Sequence, residues 1–76
     1  MIKILLSRKL GEVRWTQAML ARITKIRPST ISDLYNEMTE RVNLDHLDRI
    51  CKALDCPLSD IIEYIPDEER EQSSKH

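Results

Sequence analysis

Behind Pro28 the chain carries Ser29, Thr30, Ser32, Asp33 and Asn36, with Arg27 just before it. A proline ring suits the first position of a helix and disfavours helical backbone in the residue before it, so a helix is expected to open at Pro28. Within that helix Ile31, Leu34 and Tyr35 recur at helical spacing and face inward, which leaves Ser29, Ser32, Asp33 and Asn36 outward. Short hydroxyl, amide and carboxylate groups allow close approach to a partner. Together with a guanidinium they match the donors and acceptors on base edges in a DNA major groove. Plain solvation is the alternative, strongest for Asp33, because a carboxylate beside DNA also repels phosphates.

Other reactive side chains form no such set. Cys51 and Cys56 are the only cysteines, too few for a disulfide framework and not spaced as Cys-x-x-Cys. Cys51 falls on an apolar stripe, where a free cysteine is usually a small buried hydrophobe. His46 adds no ligand spacing and His76 lies at the end of the chain, so no metal site, cofactor or catalytic set is expected and the protein is read as a non-enzyme.

The polar helix needs elements to hold it. Residues 1–5 alternate around Ile2 and Ile4 and permit a short strand whose partner is not legible. Ser7 is expected to cap a first helix running to about Arg14, with Leu6, Leu10 and Val13 on one face and Gly11 as a weak point inside it. Trp15 and Thr16 then end that helix and start the next, with Thr16 as its N-cap. The second helix, about residues 17–23, buries Leu20, Ala21 and Ile23, and a tight turn at residues 24–27 joins it to the helix at Pro28. After a polar connection at 37–42, Asn43 caps a fourth helix with Leu44, Leu47, Ile50, Cys51 and Leu54 along one stripe. Beyond Pro57, a short fifth helix carrying Leu58, Ile61, Ile62 and Ile65 is expected to stop at Pro66. One folded domain therefore spans residues 1–66, and residues 67–76, without apolar side chains, are expected to be a disordered polar tail.

At 76 residues there is no room for a second domain, and a core this small makes a catalytic cleft unusual. The net charge of −1 hides a split: residues 1–42 hold eight Lys/Arg against four Asp/Glu, and residues 43–76 hold four against nine. The basic half suits a phosphate backbone, the acidic half solvent or a protein partner. The longest apolar run at the start, Ile4-Leu5-Leu6, is shorter than a signal-peptide core or a membrane span, so a reducing cytoplasm and no membrane are expected.

The stretch from Gln17 to Asn36 resembles the Cro and phage-repressor type of helix-turn-helix, the XRE family. Thr16-Gln17, Leu20-Ala21, the apolar Ile26 in the turn, and Ile31 and Leu34 in the following helix fall where that pattern has them. Leu47 to Leu54 with Leu58 and Ile61-Ile62 is similar to the family's later helices, so the likeness covers roughly residues 6–65. It implies an all-α, five-helix lambda-repressor-like domain with a short N-terminal strand. It further implies a bacterial transcriptional regulator that binds a double-stranded DNA operator as a homodimer. Within the family the chain is similar to small single-domain regulators such as those of glycopeptide-resistance operons.

Carried over residue by residue, the resemblance places base contacts at Arg27, Ser29, Thr30, Ser32 and Asp33, and phosphate contacts at Gln17 and Asn36. Arg22, Lys25 and Arg41 are further phosphate candidates. Two positions depart from the pattern. Lys25 stands in the turn where the family usually has Gly, and Pro28 takes a contact position without a hydrogen-bonding side chain. Residues 1–5 and the apolar residues near Tyr64 and Ile65 are the candidates for a dimer contact. The rival reading is an antitoxin-type module that binds a protein through its acidic half.

Overall fold

The computed structural model describes residues 1–66; the expected polar tail lies outside them. Strand β1 (Ile2–Ile4) leads into helices α1 (Leu6–Val13), α2 (Gln17–Thr24), α3 (Pro28–Tyr35) and α4 (Leu44–Leu54), then a single 3₁₀ turn (Leu58–Asp60) and strand β2 (Ile62–Tyr64). The two strands pair antiparallel, with Ile2 opposite Tyr64, Lys3 opposite Glu63 and Ile4 opposite Ile62.

The expected fifth helix is therefore absent among the described residues; the helical class holds broadly, and the count of five is corrected to four helices with a short two-stranded sheet. The apolar residues at 58, 61, 62 and 65 fit a helical stripe, yet Ile62-Glu63-Tyr64 also alternates with a period of two. A partner some 60 positions earlier decides between them: Leu5 donates to the Ile61 carbonyl at 2.6 Å, and Ile65 to that of Met1 at 2.8 Å. Once β1 offers its donors and acceptors, the strand satisfies backbone groups that a single helical turn would leave open.

The core gathers Leu6 and Leu10 from α1, Leu20 and Ala21 from α2, Ile26 from the turn, Ile31 and Leu34 from α3, Leu47, Ile50 and Leu54 from α4, and Ile61. Those in α1 to α4 are removed from water because their helices turn one apolar face inward. Trp15 packs against this core from the α1–α2 connection. Lys9 runs from α1 to Asp60 at 3.1 Å, with its side chain only 16% exposed; the hydrogen bond to that carboxylate holds its pKa above the usual value for lysine.

Several local expectations need correcting. Helix α1 starts at Leu6 with no side-chain cap, so Ser7 sits inside the helix. Ile23 is 48% exposed while Thr24 is buried, because the Thr24 hydroxyl donates to the Leu20 carbonyl at 2.6 Å and loses its cost of burial. Leu44 is 78% exposed and lies off the apolar stripe of α4. Thr16 and Asn43 cap as expected, accepting from the backbone of Met19 at 3.1 Å and of Asp45 at 2.8 Å.

Candidate nucleic-acid interface

The turn between α2 and α3 sets the site. Lys25 closes α2 in left-handed backbone, φ 61° and ψ 31°, a conformation that costs an L-residue on the order of 1 kcal/mol relative to Gly. Ile26, 3% exposed, drives the turn into the core. Arg27 is then extended at φ −56° and ψ 139°, as the residue before proline must be, and Pro28 opens α3. The departure at Lys25 leaves the turn intact at a cost in strain.

Helix α3 buries Ile31 and Leu34 and turns its other side outward. Ser29, Asp33 and Asn36 are exposed, and Thr30 and Ser32 are half-buried. Asn36 donates through Nδ2 to the Ser32 carbonyl at 2.9 Å and to Ser32 Oγ at 3.3 Å. These two expected contact residues thus form one fixed unit. Arg27 is exposed at the mouth of the same face.

Gln17 occupies the first position of α2, half-buried beside the Thr16 cap. It stands at the far end of α2 from the turn, roughly 11 Å along the helix axis. Neither α2 nor α3 has an acidic residue in its first turn, so the partial positive charge of each helix start is uncompensated and favours anions.

Charge pairing is uneven across the surface. Lys3, Arg8, Lys9 and Arg49 each pair with a carboxylate. Arg22, Lys25, Arg27 and Arg41 are exposed and make no ion pair among the described residues, a property shared with Arg14 and Lys52. Arg41, in the α3–α4 connection, lines a hollow of about 410 Å³ with Thr30 and Asp33 of α3, with Asn43, the N-cap of α4, and with His46 of α4. The hollow brings Arg41 beside two expected base-contact residues, an adjacency the sequence does not reveal.

Two further residues, His46 and Arg49, border this region. His46, which sequence alone presents only as a possible metal ligand, lines the hollow. Arg49 donates through Nη1 to the carbonyl of Thr24, the last residue of α2, at 3.3 Å. No local signal marks this contact, because the residues lie 25 positions apart.

Cys51 and Cys56 are free and half-buried, and burial raises both thiol pKa values. Among the described residues no group of three or more His, Cys, Asp or Glu side chains is placed to hold a metal ion. No helix among them is long and apolar enough to cross a membrane.

The family model described as the Cro/C1-type helix-turn-helix DNA-binding domain matches residues 5–67. A solved structure of a proposed DNA-binding protein from Bacteroides fragilis is similar in fold, with a TM-score of 0.74 at 22% identity, over 83% of this chain and 100% of that one. None of the curated proteins matches the chain.

Proposed function

The chain belongs to the Cro/C1-type helix-turn-helix DNA-binding domains, and from that premise we propose that it regulates transcription by seating α3 in the major groove of a specific operator. Arg27, Ser29, Thr30, Ser32 and Asp33 read base edges in this account. Arg27 is suited to a guanine and Asp33 to a cytosine amino group. Gln17, Arg22, Lys25, Asn36 and Arg41 hold the phosphate backbone. Pro28 contributes the start of the helix and no hydrogen bond, so specificity falls to its neighbours.

One observation supports this reading above the others: the small polar face of α3 is open, with Lys25 and Arg27 in the turn that leads into it and Arg41 in the hollow beside Thr30 and Asp33, none of the three in an ion pair among the described residues. A single domain of this size makes few contacts, so the active species is a homodimer. It presents two copies of α3 to half-sites about one helical turn apart, roughly 34–36 Å. Repression or recruitment of polymerase then follows from where the operator lies. The narrower likeness, to regulators of glycopeptide-resistance operons, rests on sequence alone; an operator selected by the protein and matching such a promoter would support it.

Selection of bound duplex from a random pool tests the proposal. A defined sequence should emerge, and Arg27→Ala or Ser29→Ala should relax it at one position. Recovery of unrelated sequences would reduce the site to backbone binding.

A second reading, a protein-interaction module of the antitoxin type, draws on the acidic half. Exposed Leu44 and Leu58 line an apolar hollow of about 320 Å³ beside Asp48. A stoichiometric protein partner together with undetectable DNA affinity at low salt would favour it.

A further inference from the structure

Cys51 and Cys56 take no part in the proposed DNA-facing surface, yet the end of α4 brings them together. Asp55 closes that helix in left-handed backbone at φ 53° and ψ 53°. The Cys56 N–H then donates back to the Cys51 carbonyl at 3.1 Å, and the Asp55 N–H to that of Lys52 at 3.3 Å. Two such nested bonds around a left-handed residue make a Schellman motif, whose geometry sets its first and last side chains against each other. An apolar pair usually fills those two places. Here both are cysteines.

A disulfide needs α-carbons about 4.4–6.8 Å apart, and the backbone bond from Cys56 to Cys51 confines the pair to about that reach. The thiols themselves interact, the Cys56 S–H favouring the thiolate of Cys51. Neither is sealed in the core: both are half-buried and line an open hollow of about 480 Å³ with Asp48, Lys52 and Asp55. Carboxylates outnumber ammonium groups among these neighbours, which disfavours an anionic oxidant such as oxidised glutathione. A small uncharged peroxide meets no such barrier.

We propose that Cys51 and Cys56 form a redox modification site, at which hydrogen peroxide converts the dithiol to an intramolecular disulfide. The Cys51 thiolate takes one peroxide oxygen, the O–O bond breaks, and the leaving hydroxide is protonated to water. Cys56 Sγ then attacks the Cys51 sulfenic acid, the S–O bond breaks, and a second water leaves with the Cys56 proton. Each sulfur gives up one electron, and the peroxide accepts both. Burial, which raises both thiol pKa values, keeps the thiolate scarce at neutral pH, so the pair answers sustained peroxide rather than a brief pulse. The bridge fastens the end of α4 to the chain entering Pro57, away from α3, and does not depend on the DNA-binding reading.

The test is treatment of the reduced full chain with hydrogen peroxide, followed by intact mass, thiol titration and peptide mapping. The chain loses two hydrogens and both free thiols without gaining oxygen, the map joins Cys51 to Cys56 within one chain, and dithiothreitol restores the starting mass. The oxidised chain unfolds at a higher urea concentration than the reduced one, because the bridge restricts the unfolded ensemble. In Cys56→Ser the reaction stops at a Cys51 sulfenic acid that dimedone traps, and in Cys51→Ser consumption of peroxide slows by about tenfold. Thiols that persist under peroxide overturn the proposal, as do sulfinic acid as the main product and disulfides that join separate chains. A bridged chain that unfolds at lower urea than the reduced one overturns it as well, since the helix end would then be strained by the bond rather than shaped for it.

Discussion

Arg49 ties α4 to the end of α2: its Nη1 donates to the Thr24 carbonyl at 3.3 Å, while its Nη2 pairs with Asp45 at 2.9 Å. The last carbonyls of a helix have no partner within it, and at the end of α2 the next residue is Lys25 in left-handed backbone. The guanidinium therefore holds the turn that aims α3, from a helix that carries none of the expected base contacts.

Arg49→Met is expected to lower folding stability by about 1 kcal/mol, the net worth of a part-buried hydrogen bond. Asp45→Asn should cost less, since that carboxylate is 58% exposed and exposed pairs contribute little. Urea unfolding of both variants checks the order. Equal losses would mean that the ion pair, not the bond to Thr24, is what matters.

Lys25→Gly should move two properties in opposite directions. Relief of the positive φ stabilises the fold by about 1 kcal/mol. Loss of the ammonium weakens DNA binding on every sequence alike. Thermal unfolding and duplex titration read the two effects separately, and a gain in stability with unchanged affinity would remove Lys25 from the backbone contacts.

The chain's single glycine is placed where no turn needs it. Gly11 lies inside α1, and an added Cβ would meet nothing within 4 Å. Gly11→Ala is expected to stabilise the protein by about 0.5–1 kcal/mol. Conversely Arg14 and Asp55 end α1 and α4 at φ 61° and 53°, and either changed to Gly should gain on the order of 1 kcal/mol. A loss of stability in all three would contradict the backbone description.

Salt should distinguish the two kinds of contact. Each phosphate contact removed lowers the slope of log affinity against log salt by about 1, so Arg22→Ala and Arg41→Ala should each flatten it without altering the selected sequence. Arg27→Ala should instead cost about 1–3 kcal/mol against its preferred base and leave other sequences less affected. A uniform loss from Arg27→Ala would reassign it to the backbone.

Most of the helical frame was legible because its signals are local. Thr16 and Asn43 accept from nearby backbone N–H groups, Pro28 starts α3, and the Leu20–Leu34 periodicity needs only adjacent turns to be seen. What escaped depends on distance along the chain. β2 looked like a helix because β1, its partner, lies some 60 residues earlier. Ile23 was expected inside because the Thr24 hydroxyl that displaces it looks polar until its bond to Leu20 is seen. For the candidate site, the polar side of α3 was readable from spacing, whereas the hollow joining Arg41 to Thr30 and Asp33 depends on how the α3–α4 connection folds back.

The most direct test is nuclear magnetic resonance of the chain bound to its selected duplex. Intermolecular contacts from Arg27, Ser29, Ser32 and Asp33 to major-groove base protons are the predicted result. Contacts confined to α4 and β2, with the α3 resonances unmoved, would contradict the account.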